Sequence, residues 1–503
     1  MSSSPAASSP LAVPPADSST VDFSDGLPRA VPSSCGVDAG AVLSMLDDFD
    51  EAGLDIHGFM LHRKGKVVAE GWHWPYRADR LRIQHSTTKS FVACAVGLAM
   101  EEGLITLADK VISFFPDELP AVVSDRLAAM TIEDLLTMRT GHGDETSGGI
   151  WRTVKTSWIA EFFKIPLVHP PGTVYVYTSA ASYMLAAILT RATGTSVHAY
   201  LRPRLFQPLG IVGETWDIGP DGINPGGNGL SVRTADLLKL GILHAQDGVW
   251  EGRRLLPQSW VAESTRRHCG NDREYYGYHW NVRPRHAFSA LGRFVQVCAV
   301  YPAYGATLCI TAAIAGGTRR LFPHVEAHLP AAFHDSALEG SEAEARLAAR
   351  LADWQRTRPL IGQPDFALAS AVGDSVFEVE PNALGVIALR FEFSPQRCII
   401  HLTDRAGQYE LAAGIGCWHE GRTSMPGRDL HHGYLLADAP VVATGGWLDP
   451  WTFRMEWIFA ETAFRDTVDV RFDGDRVTWQ RSVNVNGSAT SHPPLTGWRH
   501  GRP

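Results

Sequence analysis

The segment RIQHSTTKSFVACAVGLAMEEG, residues 82–103, decides how the chain is interpreted. It places Ser86 three residues before Lys89, at the start of an apolar run that has the length of a helix. The chain contains only seven lysines, and none of the other six has a serine three positions before it. The segment therefore raises the question of whether Ser86 and Lys89 form a reactive pair or belong to an ordinary capped helix.

The spacing of the two residues favours a reactive pair. Side chains at positions i and i+3 of a helix share one face, so the lysine amine would lie within reach of the serine hydroxyl. A nucleophilic serine needs a base, and burial against the run VACAVGLAM would favour the neutral amine that can accept its proton. Backbone N–H groups at the helix start would also face an oxyanion forming at Ser86. Serine and threonine are common helix caps, however, so the tetrapeptide alone leaves both interpretations open.

A second motif is PPGTVYVYTSAASYMLAAILTRATG, residues 170–194. Here Tyr177 and Ser179 stand between a Pro-Gly turn and another apolar helix. A tyrosine close to the lysine would be suited to pass a proton to a leaving group. The alternative is that Tyr175, Tyr177 and Tyr183 are core aromatics whose hydroxyl groups have hydrogen-bond partners.

Together the two motifs resemble the penicillin-recognising serine hydrolases, which include class C β-lactamases, D-alanyl-D-alanine peptidases and related serine esterases. The similarity covers roughly residues 38–330 and includes GLITLADKVISFFPD, MTIEDLLTMRTGHGD and YYGYHWNV in the family's order. It implies an α+β fold, in which an antiparallel sheet is flanked by helices and accompanied by an all-α subdomain. It also implies that Ser86 is the acylated nucleophile, Lys89 its base and Tyr177 the proton shuttle, with no metal ion or organic cofactor.

The resemblance is incomplete at the remaining family positions. Ser179 stands where β-lactamases have an asparagine, and a serine there is common in the esterase-like relatives. The family's third motif, Lys/His-Thr/Ser-Gly on a late strand, is best matched by Ala290-Leu291-Gly292, which keeps the glycine and lacks the cation. By the family pattern, the backbone N–H of Arg293 would complete the oxyanion hole beside that of Ser86. The arginines that could replace the cation, or else be solvated surface residues, are Arg283, Arg285 and Arg293.

Changes in composition divide the chain into four parts. Residues 1–35 form a Ser/Pro/Ala-rich segment, for which a disordered tail is expected. The hydrolase domain is expected at 36–335, with an early hairpin and with its first and last strands paired, followed by a connecting helix at 336–360. Short alternating strands at 361–500 predict a small all-β domain, a barrel or a sandwich. Its tryptophans would either wall the active-site pocket or fill the domain's own core: Trp447, Trp451 and Trp457.

Charge and composition argue against several other functions. The net charge of −9 and the lack of any Lys/Arg-rich run disfavour nucleic acid or an anionic membrane as a partner. The N-terminus lacks the features of a signal peptide, and no apolar run reaches the length of about 18 residues that a membrane span requires. The seven cysteines show no metal-binding spacing, so reduced core cysteines in a cytoplasmic protein are expected.

The sequence therefore predicts a serine hydrolase acting on a small-molecule ester or amide. Ser179 and the missing cation favour ester hydrolysis. A D-amino-acid peptidase or amidase and an acyltransferase are the alternatives within the family. A ligand-binding protein on an inactive hydrolase scaffold is the alternative outside the enzymes.

Overall fold

In the computed structural model, the described part of the chain comprises residues 24–147, 151–270, 275–283, 287–354, 357–362, 369 and 371–500. Residues 1–23 of the expected tail lie outside it. The rest of that segment, residues 24–35, packs on the first domain, since Leu27 is buried and the Ala30 N–H donates to the Val67 carbonyl at 3.0 Å. The expectation of a tail extending to residue 35 is therefore wrong, because this segment buries apolar side chains against the domain.

The first domain is built on an antiparallel sheet. The strands of this domain are β1 (Ile56–Arg63), β2 (Lys66–Trp72), β3 (Arg82–Ile83), β4 (Thr215–Trp216), β5 (Leu230–Val232), β6 (Val249–Trp250), β7 (Arg253–Arg254), β8 (Cys269–Gly270), β9 (Tyr275–Tyr276), β10 (Asn281–Val282), β11 (Phe288–Gly292), β12 (Gln296–Tyr301) and β13 (Ala306–Ala312). Eight of them form the main sheet, in the order β2-β1-β13-β12-β11-β10-β9-β8. The early strand β1 and the late strand β13 lie side by side, with Met60 opposite Cys309, as the sequence predicts.

Helices cover both faces of this sheet. They are α1 (Ala39–Glu51), α2 (Thr88–Glu101), α3 (Asp125–Ala129), α4 (Ile132–Leu136), α5 (Trp158–Lys164), α6 (Ser179–Thr193), α7 (Val197–Leu201), α8 (Thr234–Ala245), α9 (Gln258–Thr265), α10 (Thr318–Ala332) and α11 (Glu342–Ala352). Because side chains alternate along a strand, Phe59 and Leu61 of β1 face the cluster that contains α1 and α10, whereas Met60 faces α2, α6 and α8. The α+β architecture with an all-α subdomain is confirmed.

Helix α2 lies at the centre of the helical side of the domain. Phe91, Val92 and Val96 are fully buried, which explains why this helix is apolar around most of its circumference. A Cβ atom on Gly97 would lie 2.5 Å from the indole of Trp260, so glycine at this position lets the two helices pack closely. This packing holds the first turn of α2 in place.

The second domain is a β-barrel. Its strands are β14 (Val376–Val379), β15 (Val386–Ser394), β16 (Arg397–Asp404), β17 (Gln408–Ile415), β18 (His419–Thr423), β19 (Ala439–Asp449), β20 (Thr452–Phe459), β21 (Arg465–Asp473), β22 (Arg476–Val483) and β23 (Leu495–Arg499). Strand β14 pairs with β23, and β17 pairs in parallel with β19, so β14–β17 and β19–β23 close into a nine-stranded barrel. Trp447 and Trp457 are buried in its core, whereas Trp451 is 50% exposed, so packing of the core accounts for the first two.

The connecting helix belongs to the first domain. Helix α11 packs against α1 and β2, and Leu347 is buried between them. Helix α11 therefore contributes to the core of the first domain with one of its faces. Within the described ranges, no helix combines the length and the apolar character needed to cross a bilayer.

The barrel contacts the segment that leads to Ser86. The Ile83 N–H donates to the carbonyl of Glu461 at 2.9 Å, and the buried guanidinium of Arg82 donates to the carbonyl of Thr462. Arg465 forms an ion pair across the same boundary with Asp55 at 3.4 Å. The barrel is therefore in direct hydrogen-bond contact with the strand four residues before the serine.

Candidate active site

Ser86 lies in a 3-10 turn, His85–Thr87, that leads directly into α2. Lys89 is in the first turn of α2, and its Nζ lies 3.0 Å from Ser86 Oγ. No side chain caps α2: Thr87, at the cap position, donates instead to the carbonyl of Gln84 at 3.0 Å. The contact expected of a reactive pair is present, and the capping contact is not.

The amine of Lys89 is held by three oxygen atoms. Besides Ser86 Oγ, these are Ser179 Oγ at 3.1 Å and the carbonyl of Gly227 at 3.0 Å. The side chain of Lys89 is almost completely buried, and within the described part of the chain it forms no ion pair. These contacts fix the position of the nitrogen beside the serine hydroxyl.

Tyr177 stands on the segment that enters α6, and it is half-buried. Its ring centroid lies 4.9 Å from Lys89 Nζ, and the ring packs edge-on against Tyr276 at 6.1 Å. Tyr183 differs, since it is buried and its hydroxyl donates to Asp221 at 2.6 Å. The structure thus places Tyr177 beside the Ser86–Lys89 pair and Tyr183 in the core.

Glu145 is part of the site, although the sequence analysis did not identify it. Its Oε1 accepts hydrogen bonds from Thr178 Oγ1 at 3.1 Å and from the Ser179 N–H at 3.0 Å. Partial burial raises the pKa of Glu145, but the hydrogen bond from Ser147 and the charge of Lys89 outweigh it and leave the pKa below its ordinary value. The carboxylate therefore fixes the N-terminus of α6, which carries Ser179. An acidic residue in the loop GHGDETSG has no distinctive sequence signal, because these partners lie more than thirty residues away.

The third motif lies on β11, next to the serine. Gly292 and Arg293 line the cavity that contains Ser86, whereas Ala290 is buried within the strand and does not line it. A Cβ atom on Gly292 would lie 2.4 Å from the carbonyl oxygen of Gln84, so only glycine permits this approach. Among the described residues, neither the Ser86 N–H nor the Arg293 N–H has an acceptor, which leaves both able to donate to a substrate oxygen.

Of the other arginines suggested as replacements for the cation, Arg283 does not line this cavity. Arg283 pairs with Glu326 and lies over the ring of Phe322 at 3.6 Å, so its expected role is not supported. Arg285 lies outside the described residues. Arg293 remains, and Arg152 and Arg319 line the cavity with it.

The barrel supplies part of the cavity wall through His432 and Asn486. His85, which has a positive φ of 48°, packs against Phe294 and Tyr434 at centroid distances of 5.4 and 5.3 Å. Burial, together with the nearby His432 and Arg152, holds the pKa of His85 well below its ordinary value, so the ring is neutral. The residue next to Ser86 is therefore packed between the two domains.

A buried ionic cluster anchors the barrel loop that carries His432. Asp466 accepts hydrogen bonds from His431 Nε2 at 2.9 Å and from Arg481 Nε at 2.7 Å. All three side chains are buried. Arg152 of the first domain donates to the His432 carbonyl at 2.5 Å and lies over the ring of Tyr434 at 3.8 Å. The loop that carries His432 is thus fixed both by residues of the barrel and by Arg152 of the first domain.

The cavity around Ser86 has a volume of about 550 Å³, which suits a small-molecule substrate. Its lining combines Ser86, Tyr177 and Ser179 with three arginines and one carboxylate, that of Glu145. Across the described ranges, no three His, Cys, Asp or Glu side chains come together as a set of metal ligands. The arrangement places a serine hydroxyl with a lysine amine behind it, a phenol and, among the described residues, two backbone N–H groups without an acceptor at one cavity.

Known proteins share parts of this sequence and its fold. The model of the beta-lactamase family matches residues 51–333. Two curated relatives are the 6-aminohexanoate-dimer hydrolase of Paenarthrobacter ureafaciens, 27% identical over 218 residues, and esterase EstB of Burkholderia gladioli, 27% identical over 208 residues. The aligned regions cover 40% and 36% of this chain and 55% and 53% of those proteins, so the chain spans about half the length of these relatives. A solved structure from Bacillus anthracis, provisionally named a 6-aminohexanoate-dimer hydrolase, shares the fold with a TM-score of 0.52 at 16% identity, covering 60% of this chain and 85% of that one.

Proposed function

Because this chain belongs to the beta-lactamase family, we propose that it is a serine hydrolase that cleaves a small-molecule ester or amide through an acyl-enzyme on Ser86. The observation that carries the proposal is the 3.0 Å contact between Lys89 Nζ and Ser86 Oγ in the wall of a substrate-sized cavity. Ser179 and Gly227 accept two hydrogen bonds from the amine of Lys89, which fixes the nitrogen beside the serine hydroxyl.

The reaction begins when Lys89 takes the proton of Ser86 and the oxygen attacks the substrate carbonyl. The negative charge that develops on the carbonyl oxygen is stabilised by the N–H groups of Ser86 and Arg293. Tyr177, beside the lysine, passes the proton to the leaving group, and the carbon–oxygen or carbon–nitrogen bond breaks. Water then attacks the acyl-enzyme by the reverse sequence of proton transfers, which releases the acid and regenerates Ser86.

Ester hydrolysis is the preferred form of this activity, which makes the protein a carboxylesterase. Where β-lactamases present a side-chain amide to a substrate, this chain has the hydroxyl of Ser179, which accepts a hydrogen bond from Lys89. Position 290 is a buried alanine, where the family's lactam-binding motif has a cation. An amidase or D-amino-acid peptidase is the second candidate, and the name of the 6-aminohexanoate-dimer hydrolase relative is the observation that favours it.

Intact-mass detection of an acyl adduct tests the proposal. The protein is incubated with p-nitrophenyl esters, D-peptide amides and a β-lactam, and an adduct is expected on Ser86 with the esters. The Ser86→Ala variant should form none, whereas the Ser90→Ala variant, altered one turn further along the same helix, should still be acylated. An adduct of undiminished yield in Ser86→Ala would show that another residue is the nucleophile. Tight ligand binding without adduct or turnover would instead support an inactive binding protein.

A further inference from the structure

A second cavity adjoins the one that contains Ser86. It has a volume of about 370 Å³ and shares two lining residues with the first cavity, Arg152 and Asn228. Both domains form its walls: the first domain contributes Trp158, Ile218 and Pro220, and the barrel contributes Tyr434 and Leu435. Because the two cavities share part of their lining, they lie side by side at Arg152 and Asn228.

The position of the catalytic groups indicates which part of a substrate enters the second cavity. Tyr177, Gly292 and Arg293 line the first cavity and do not line the second. In the proposed mechanism the leaving group is protonated through Tyr177, so it is bound in the first cavity. The acyl part is then the part that can reach past Arg152. We infer that the second cavity binds the acyl arm of the substrate, and that this arm is an apolar chain with an anionic group at its far end; the inference rests on the proposed function.

Two exposed apolar side chains account for the apolar part of the chain. Ile218 is 72% exposed and Leu435 is 69% exposed, and they come from different domains to line the same cavity. Large exposed apolar side chains that converge on one cavity indicate a binding surface, because covering them removes apolar area from water. An alkyl chain is the simplest ligand that covers both.

The charges of the second cavity account for the anionic end. Arg152, Lys155 and Arg428 line it, together with one carboxylate, that of Asp217. In the portion of the chain that the structure describes, none of these three cations forms an ion pair. With three cations and one carboxylate, the lining carries an excess of positive charge, which a carboxylate at the end of the acyl chain would meet.

The experiment compares three p-nitrophenyl esters with the full-length protein: the acetyl ester, the octanoyl ester and the octanoyl ester that carries a terminal carboxylate. Each methylene that enters the cavity should raise kcat/KM about fourfold, so the octanoyl ester should exceed the acetyl ester by at least about tenfold. The terminal carboxylate should raise kcat/KM further, by about twofold to fivefold at low salt, and this gain should decrease with added salt.

Single substitutions test which side chains cause these differences in kcat/KM. Leu435→Asn should reduce the octanoyl-to-acetyl ratio about threefold or more, whereas Leu448→Asn, at an exposed barrel leucine outside the cavity, should not change it. Lys155→Gln should reduce the gain from the terminal carboxylate, whereas Lys66→Gln, at a lysine that lines neither cavity, should not. None of the four should alter kcat/KM for the acetyl ester.

Failure of the acyl-arm inference can be distinguished from failure of the proposed function. If the acetyl ester acylates Ser86 and neither chain length nor the terminal carboxylate changes kcat/KM, the acyl-arm inference is wrong and the proposed function stands. Equal losses for the acetyl and octanoyl esters in Leu435→Asn would also overturn the inference, because they would reflect a general structural effect. If no ester labels Ser86, the proposed function fails and the inference fails with it.

Discussion

Replacement of Gly292 by alanine would test whether the approach of β11 to the serine segment builds the oxyanion hole. The new Cβ atom would lie 2.4 Å from the Gln84 carbonyl oxygen, and ordinary contact begins at about 3.4 Å, so the two segments must separate by about 1 Å. Gln84 is fixed by its N–H, which donates to the Leu230 carbonyl at 2.8 Å, and by its side chain, which donates to the Val232 carbonyl at 3.1 Å. The end of β11 is therefore the part that moves, and Arg293 moves with it.

A displacement of about 1 Å at a reacting group lowers the rate about 100-fold, which is also the effect of losing one oxyanion donor. We therefore expect Gly292→Ala to lower kcat/KM for p-nitrophenyl acetate about 100-fold, mainly through kcat, because the donor acts on charge that develops in the transition state. Steady-state kinetics measures this effect, and a thermal unfolding curve recorded alongside verifies that the variant is folded.

Gly421→Ala provides the matched control for this variant. Gly421 is on β18 of the barrel, and the atom nearest to an added Cβ there is His419 Nε2 at 3.7 Å, which is an ordinary contact. This variant should retain the parent kcat/KM. If Gly292→Ala is folded and its kcat/KM is within about twofold of the parent, the N–H of Arg293 does not serve as the second oxyanion donor, and the reasoning from the close approach is wrong.

Two further predictions concern the carboxylates near the site. Glu145→Gln should lower kcat/KM about tenfold in enzyme assays and reduce the free energy of unfolding by about 1 kcal/mol in urea titration, because the charged acceptor of the Ser179 N–H is lost. The control variant Glu101→Gln, at an exposed position of α2, should change neither quantity. Asp466→Asn should cost about 3 to 5 kcal/mol in urea unfolding, because Arg481 is left buried and uncompensated, whereas the exposed Asp473→Asn should have no effect. Burial alone would raise the pKa of Asp466, but His431 and Arg481 hold the pKa below its ordinary value. This stabilisation is therefore present at neutral pH and is lost as the pH falls through the folded-state pKa. An Asp466→Asn variant whose stability matches the parent at neutral pH would contradict the account, as would an unchanged rate in Glu145→Gln.

The barrel forms part of the proposed active site. Its interior is filled by its own side chains, such as Phe391, Trp457 and Val470, so a ligand would meet its outer loops. Those loops place His432 and Asn486 in the cavity wall and pack Tyr434 against His85. Variation in these loops would therefore change which substrates fit without changing the reactive groups.

A local pattern was sufficient to predict that the side chains of Ser86 and Lys89 lie close together, whereas the family resemblance was needed to favour a reactive pair over a capped helix. The two residues lie within four positions, and the geometry of a helix start brings their side chains together whatever the rest of the chain does. The hairpin of β1 and β2, the helix α6 and the alternating strands of the second domain were predicted correctly for the same reason, because periodicity is a local property. The position of Tyr177 beside the lysine came from a family resemblance, and the structure places its ring there.

The sequence by itself thus indicated the contact between Ser86 and Lys89, the main elements, and an α+β fold followed by an all-β domain. Only the tertiary structure decided that Glu145 holds Ser179, that His432 walls the cavity and that Gly292 has no room for a side chain. Each of these facts is a contact between segments that are far apart in the chain, such as Gln84 and Gly292. Such segments come together because hydrophobic burial acts over the whole molecule. The periodicity within a segment does not indicate which distant segment it contacts.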